Sequence, residues 1–282
     1  MMTMLFNDSV MLAPAPDLAA AEQRTRRVLI VGIGLSVALA FPSLIALGLD
    51  DRLINGISVW SKPLKFQASL AIMLATMLIL LPLIEARTRA GLGVFLASLM
   101  AAITANGEVF YITLQAARGR ASHFNDSTAF EAMAYSVMGV GAALLVLSSL
   151  VIGVYILMRP RAGAPAGLRL GGGWGLVLGS VATLITAFAL GGGQIDGPGH
   201  WVGGIKTDIG GLPLFGWSRT GGDLRVPHFF ATHIMQALPI LGLGLDRFAP
   251  RFARPGIALG AVLSIAVVIG TFMQAVQGRP FL

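Results

Sequence analysis

The sequence predicts an all-α membrane protein: a polytopic bundle of seven transmembrane helices, with a cytoplasmic N-terminus and an extracytoplasmic C-terminus. Of the 282 residues, 55% are hydrophobic and only 12% are charged, whereas about a quarter of the residues in an average soluble domain are charged. A soluble core of this size would need a larger charged shell. Apolar runs of about 20 residues, long enough to cross a bilayer, also recur along the chain.

The composition excludes several classes of function. The net charge of +7 and the pI near 10.8 do not indicate nucleic-acid binding, because the basic residues form short clusters between apolar runs. The chain contains no cysteine, which excludes disulfides, thiolate nucleophiles, cysteine-ligated clusters and thioether-bound haem. The first 27 residues lack the order of a signal peptide, so we expect the first membrane helix to act as the targeting signal.

Seven apolar runs are long enough to be membrane spans. They cover residues 28–49, 66–84, 92–115, 132–158, 174–190, 227–245 and 257–276. The predicted organisation is a cytoplasmic N-terminal tail at 1–27 and a single transmembrane domain at 28–282. A long Gly- and Trp-rich outer loop at 191–224 joins the fifth and sixth spans. Its tryptophans argue against disorder, so it is either a lid over the polar end of the bundle or a plain surface loop.

Orientation depends on where lysine and arginine fall between the spans. With a cytoplasmic N-terminus, the inner segments hold eleven of these residues and the outer segments nine, so the count alone does not decide. The inner basic residues form plain clusters such as RTRR, whereas the outer ones lie beside aspartates and histidines. All four histidines fall on the outer side, at positions 123, 200, 228 and 233. This one-sidedness follows from the alternation of spans and holds in either orientation.

Glu108 lies inside the third span, where a carboxylate costs a few kcal/mol unless it is paired, protonated or hydrated. It should therefore face the bundle interior. At helical spacing, Tyr111, Gln115 and Arg118 continue from it along one face toward the outer surface. Glu108 is either a functional acid or base, or one half of a buried ion pair with Arg118, Arg225 or Lys62.

The sixth span begins with polar residues that share one arc of the helix: Arg225, His228, Thr232 and Gln236, with His233 at the edge. Asp223 or Gly222 is expected to cap this helix, whose N-terminal dipole and Arg225 favour an anion. The two histidines are five residues apart, so one ion cannot bind both from one face. A metal would need His123 or Glu108 from another helix.

The other candidates lie at the same end. His123 follows the third span, and Thr128 with Glu131 forms a capping-box pattern for the fourth. Lys62 and Lys65 flank the start of the second span as headgroup-facing lysines or as an anion clamp with Arg120 and Arg279. A short echo, QAxxGR, ends the third and seventh spans at 115–120 and 274–279; it is either one local solution used twice or a coincidence.

Four motifs together resemble a group of bacterial integral membrane proteins. They are W-x-K-P-x-K-F at 60–66, Q-A-x-R-G-x-x-S-H-F-N at 115–125, G-D-L-R-x-x-H-F-x-x-x-H-x-x-Q at 222–236, and Q-A-x-x-G-R-P at 274–280. The resemblance covers the chain from Trp60 to its end. It implies the bacterial inner (plasma) membrane as the location but no activity. A rhodopsin is excluded, because the seventh span has no lysine for a retinal Schiff base.

The leading hypothesis is an outward-facing pocket that binds, and acts on if the protein is an enzyme, an anionic small molecule or lipid headgroup. The candidate acid–base residues are Glu108, His123, His228 and His233. The candidate ligand-binding residues are Lys62, Lys65, Gln115, Arg118, Arg120, Asp223, Arg225, Gln236 and Arg279.

Two alternatives stay open. One is a redox protein that holds haem b or copper through His123 with His228 or His233, although nothing in the sequence requires a cofactor. The other is a proton-coupled transporter that uses Glu108, although the inner half of the bundle is poor in polar residues and transport needs access from both sides. The oligomeric state and the substrate are not specified by the sequence.

Overall fold

The computed structural model describes residues 16–197 and 199–282. The protein is 73% helical, and each of its four strands is two residues long. The helices are α1 (Pro16–Leu49), α2 (Ser61–Leu80), α3 (Ala86–Arg89), α4 (Leu92–Ala117), α5 (Ala129–Met158), α6 (Ala166–Gly191), α7 (Arg225–Phe248) and α8 (Ala253–Val276). The antiparallel strand pairs are β1 (Leu53–Ile54) with β2 (Ile57–Ser58), and β3 (Trp201–Val202) with β4 (Gly222–Asp223). The predicted all-α class is confirmed.

Seven of these helices, all except the one-turn α3, are long and apolar enough to cross a membrane, as predicted. Several extend beyond the predicted spans. Helix α1 begins at Pro16 instead of residue 28, so its 34 residues reach about 51 Å against a hydrocarbon core of about 30 Å. The later part of the predicted 1–27 tail is therefore helical, and residues 1–15 lie outside the described residues. A hydropathy window misses such polar helix ends because they lie beyond the apolar core.

The alternation of the seven spans gives the bundle two ends. We call the end that carries the four histidines the histidine end, and the opposite end, where α1 begins, the arginine end. The α1–α2, α4–α5 and α6–α7 connections and the C-terminus lie at the histidine end. The predicted cytoplasmic position of the N-terminus stays a prediction.

The main apolar core joins six of the seven long helices. Fully buried side chains such as Leu29 of α1, Met77 of α2, Ile152 of α5, Leu176 of α6 and Met235 of α7 belong to one cluster. A second, smaller cluster joins α6, α7 and α8. Apolar side chains that face outward stay exposed on every long helix, as expected for helices surrounded by lipid.

Helices α6 and α7 approach each other through a stripe of glycines. These glycines recur every fourth residue of α6, at Gly167, Gly171, Gly175 and Gly179. A Cβ atom at each position would collide with α7, in order at the carbonyl of Gly242, the carbonyl of Leu238, the ring of Pro239 and the side chain of Met235. Small residues at this spacing allow close backbone contact between membrane helices.

Asp246 closes the α6–α7 contact at the arginine end. Its carboxylate oxygens accept hydrogen bonds from the backbone N–H groups of Gly167 (2.7 Å) and Leu168 (2.6 Å). The first N–H groups of a helix have no acceptor within the helix, and the positive end of the helix dipole favours a carboxylate. An acid near the end of α7 therefore caps the start of α6.

Substitution Gly171→Ala tests this packing. We expect it to destabilise the protein by about 1–3 kcal/mol, because the added methyl group meets backbone that cannot move without separating α6 from α7. The measurement is the apparent melting temperature in detergent. Gly141→Ala in α5 is the matched control, because a Cβ atom there meets nothing within 4 Å. Equal melting temperatures for the two variants would contradict the close contact.

Candidate functional site

Arg225, at the start of α7, binds two buried carboxylates. Its Nε and Nη2 atoms donate to Asp223 at 2.9 and 2.7 Å, and Nη2 also donates to Asp208 at 2.8 Å. The backbone carbonyl of Gly216 accepts a further hydrogen bond of 2.7 Å. Asp223 is only 1% exposed, so its charge needs this partner. Arg225, which the sequence suggests as an anion ligand, is thus neutralised within the protein.

The predicted cap of α7 takes a different form. Leu224 occupies the N-cap position and contributes no side-chain hydrogen bond. Asp223 lies one residue earlier, and its Oδ1 accepts from the backbone N–H of Arg225 at 3.0 Å. The same carboxylate accepts from the backbone N–H of Ser218 at 2.9 Å. Asp223 therefore joins the helix start to the preceding loop.

Residues 192–197 and 199–224, which we call the lid for their position at the histidine end, pack against the α1–α2 connection. The backbone N–H of Asp208 donates to the carbonyl of Asn55 at 3.1 Å. The Lys65 ammonium donates to the carbonyl of Phe215 at 3.1 Å. The Phe215 ring stacks on Trp217 with a centroid separation of 4.4 Å. These contacts place the lid beside the starts of α2 and α7.

His200 lies inside the lid beside Asp208. Its Nε2 is 3.7 Å from Asp208 Oδ1, an ion-pair distance longer than a hydrogen bond, and its ring lies 3.8 Å from that of Trp201. Burial lowers the pKa of His200, and the Asp208 carboxylate opposes that shift. Burial alone would raise the pKa of Asp208, but His200 and Arg225 hold it below its ordinary value.

A second polar group joins α4 to the α4–α5 connection. Glu108 is 9% exposed, and its Oε1 lies 3.8 Å from Nε2 of His123. The His123 ring is flanked by Phe66 of α2 and Tyr135 of α5, each with a centroid separation of 5.7 Å. Burial, followed by the positive charge of Lys62, lowers the pKa of His123 well below its ordinary value. His123 is therefore neutral near pH 7.

Lys62 lies beside this pair. Its Nζ is 5.6 Å from the centre of the Phe66 ring and within electrostatic range of Glu108 and His123. Within residues 16–197 and 199–282, no side chain or carbonyl accepts a hydrogen bond from Lys62 or forms an ion pair with it. We call Lys62, Glu108 and His123 the Lys62 site.

The other predicted binding residues at the C-terminal end of α4 are bonded to one another and to Glu131. Arg120 pairs with Glu131 at 2.6 Å, and Gln115 donates to the same carboxylate at 3.1 Å. Arg118 donates to Oε1 of Gln115 at 2.8 Å. Thr128 accepts from the backbone N–H of Glu131 at 3.2 Å, which confirms its predicted role as the cap of α5. The Glu131 carboxylate accepts from the Thr128 hydroxyl at 3.0 Å and neutralises Arg120.

The two histidines of α7 have separate neighbours. His228 Nδ1 is 3.2 Å from the hydroxyl of Thr186 on α6. His233 Nδ1 donates to the carbonyl of Phe229 at 2.7 Å, one turn earlier in its own helix. In the part of the chain that the structure describes, no three His, Asp or Glu side chains are grouped to hold a metal ion.

Two further predicted binding residues lie apart from the Lys62 site. Gln236 donates to the hydroxyl of Thr76 at 3.2 Å and joins α7 to α2. Arg279 is exposed near the C-terminus, beside Asp223 in a narrow cleft. The structure therefore brings together Lys62, Glu108 and His123, and places the remaining candidates in separate contacts.

The sequence singles out neither His200 nor Asp208 as a candidate site residue. Asp208 lies in an irregular loop, so no periodic pattern identifies it. The Asp-x-Arg spacing at 223–225 does predict that Asp223 pairs with Arg225, since the same spacing at 50–52 gives the same pair of hydrogen bonds. There Asp50 accepts from the backbone N–H of Arg52 at 3.1 Å and from its Nη2 at 2.7 Å. Hydrogen bonds from Arg52 and Trp60 lower the pKa of Asp50.

The QAxxGR echo has a structural meaning. Gln115 Nε2 donates to the carbonyl of Ala121 (3.3 Å), and Gln274 Nε2 donates to the carbonyl of Pro280 (2.6 Å), six residues later in both cases. The glycine in each copy has a positive φ, 66° at Gly119 and 71° at the second copy, which suits a helix C-terminus. The two segments are one way of ending a helix, used twice.

A half-buried ammonium, a neutral imidazole and a carboxylate can together bind an acidic group and exchange a proton with it. Such groups interact more strongly inside a protein than in water, because the local dielectric constant is lower.

No family model, curated protein or solved structure matches this chain.

Substitution Arg225→Gln tests the pairing in the lid. It leaves two carboxylates buried without their cation, so we expect a loss of about 3–5 kcal/mol in stability. The lid should also become more sensitive to proteolysis, which gel analysis after brief protease treatment will show. Arg219→Gln, at an exposed position of the same lid, is the control. A stable, protease-resistant Arg225→Gln variant would refute the role of this residue.

The lowered pKa values of His123 and His200 predict a loss of stability in mild acid. Between their folded-state pKa values and about 6.5, the unfolded chain binds protons that the folded protein does not. The contribution of the two histidines to the free energy of unfolding is therefore fully present above about pH 6.5. As the pH falls below that value, the free energy of unfolding decreases by up to about 1.4 kcal/mol per pH unit for each histidine. The measurement is the melting temperature from pH 7.5 to 5.0, with His123→Gln expected to reduce the slope. An unchanged slope in that variant would argue against a neutral, buried His123.

Proposed function

We propose that this multi-pass protein belongs to the bacterial inner membrane and binds an anionic small molecule or lipid headgroup at the Lys62 site, on the outer side of that membrane. The observation that carries the proposal is the unpaired ammonium of Lys62 beside the Glu108–His123 pair. Lys62 is half-buried, and a cation that is partly removed from water without a partner has an unfavourable free energy, which an anionic ligand would reduce.

The choice of Lys62 over the arginines follows from their partners. Arg225 binds Asp208 and Asp223, and Arg120 binds Glu131. A ligand that approached these arginines would have to displace a carboxylate that is already bound at close range. Lys62 requires no such displacement.

His123 supplies the second part of the proposal. Because it is neutral near pH 7, its Nε2 can accept a proton from a bound acid or from water. The Glu108 carboxylate at 3.8 Å would stabilise the imidazolium that results. A protein that only binds its ligand would use His123 as a hydrogen-bond partner. An enzyme would use it to take a proton from the ligand or from water.

The lid lies next to the proposed site. Lys65 lies one helical turn after Lys62, and its ammonium bonds the lid at Phe215. A ligand at Lys62 would therefore lie next to the point at which the lid meets α2. Lid movement would control entry to the site, as it does in many enzymes and binding proteins.

Substitution Lys62→Gln tests the proposal. The probes are inorganic phosphate, acetate and dihexanoyl phosphatidic acid, added to the purified full chain in detergent at pH 7. We expect at least one of them to raise the melting temperature of the unaltered protein, and the variant to bind it at least about ten-fold more weakly, or about 1.4 kcal/mol.

Lys206→Gln, at an exposed lysine of the lid, is the matched control and should bind as the unaltered protein does. The proposal fails if Lys62→Gln is folded and retains full affinity, or if none of the probes binds the unaltered protein.

A further inference from the structure

A separate cavity opens at the arginine end, on the opposite side of the bundle from the Lys62 site. Its volume is about 420 Å³, and it lies between the start of α4 and the end of α5. Arg87 and Arg159 line it together with Tyr155. The sequence shows these arginines only as members of short basic clusters, so the cavity is a product of the fold.

The cavity offers hydrogen-bond donors that the protein does not use. Arg87 and Arg159 are exposed, and across residues 16–197 and 199–282 their guanidinium groups form neither a hydrogen bond nor an ion pair. The acid in the lining, Glu85, accepts a hydrogen bond of 2.6 Å from the hydroxyl of Thr88. Two cations therefore face one carboxylate that already has a partner.

The floor of the cavity is shaped by the glycines that begin α4. Gly91 is the N-cap and provides no side-chain cap, so the N–H groups of the first helical turn have no acceptor in the helix. A Cβ atom at Gly93 would collide with the Tyr155 hydroxyl. The lack of a side chain at Gly93 therefore lets the Tyr155 hydroxyl lie against the start of α4.

An apolar surface continues from the cavity toward the middle of the membrane. On α4, Leu96 and Met100 follow the cavity at helical spacing, and on α5, Val151 and Leu147 precede it in the same way. All four side chains are 39–50% exposed. A polar, cationic cavity at the membrane boundary thus joins two adjacent apolar helix faces.

We propose that this cavity binds the phosphate group of an anionic phospholipid. Arg87 and Arg159 would contact the phosphate as charge-assisted donors, and the acyl chains would lie along the apolar faces of α4 and α5. Basic pockets between membrane helices are suited to anionic headgroups. The continuous apolar surface favours a lipid over free phosphate, and the proposal is independent of the function proposed for the Lys62 site.

The test is native mass spectrometry of the full chain in detergent, titrated with dioleoyl phosphatidylglycerol or dioleoyl phosphatidylcholine. We expect the unaltered protein to retain one phosphatidylglycerol with at least ten-fold preference over phosphatidylcholine. The double variant Arg87→Gln/Arg159→Gln should lose this preference. Arg251→Gln/Arg254→Gln, at two equally exposed arginines of the same end that do not line the cavity, is the matched control and should keep it.

Gly93→Val is a second variant for the case in which the double variant does not fold: it would displace the Tyr155 side chain that lines the cavity, without changing any charge. It should weaken phosphatidylglycerol binding at least ten-fold. The proposal is overturned if both variants bind the lipid as the unaltered protein does, or if the control loses the preference equally. It is also overturned if glycerol 3-phosphate or inorganic phosphate binds as tightly as the lipid, because the acyl chains would then contribute nothing.

Discussion

The arrangement of the histidine end depends on the contact of Arg225 with Asp208 and Asp223. Two carboxylates removed from water are strongly unfavourable unless a cation and several N–H groups compensate them. Arg225 meets this need because its planar guanidinium binds both acids and a lid carbonyl at once. The consequence is structural: residues 192–197 and 199–224, which form no helix, pack as a layer against the helices, and His200 is held inside it.

The same end contains cations with opposite roles. The arginines at 120 and 225 are paired with carboxylates, whereas Lys62 is left beside a carboxylate and a neutral imidazole. Arginine suits fixed, bidentate pairing, and lysine is a compact charge on a flexible chain that can meet a ligand. Sequence position alone does not separate these roles, since all three residues lie at helix ends among polar neighbours. The partners decide, and they come from other elements of the chain.

The fold followed from the sequence because hydropathy and length depend only on local composition. The seven spans, the cap of α5 by Thr128 and the placement of Glu108 and His123 at one end were all predictable. The pairing of Asp208 with Arg225 was not, because a loop has no periodicity that reports its partners. The glycines of α6 show a clear four-residue spacing, yet spacing alone does not say that α7 is the neighbour. The cavity at the arginine end could not be predicted, because it forms between the start of α4 and the end of α5, and neither segment carries a recognisable binding motif.

The glycine stripe also fixes the two ends of the lid relative to each other. Backbones in direct contact along four successive turns cannot slide or separate without losing that contact, so α6 and α7 act as one rigid frame. Both ends of the lid are anchored to this frame, one following α6 and the other preceding α7. The two ends of the lid are therefore held at a fixed separation, and its middle packs against the α1–α2 connection and the start of α2. If Lys62 binds a ligand as proposed, opening the lid at its contacts with Asn55 and Lys65 would leave the packing of α6 against α7 unchanged.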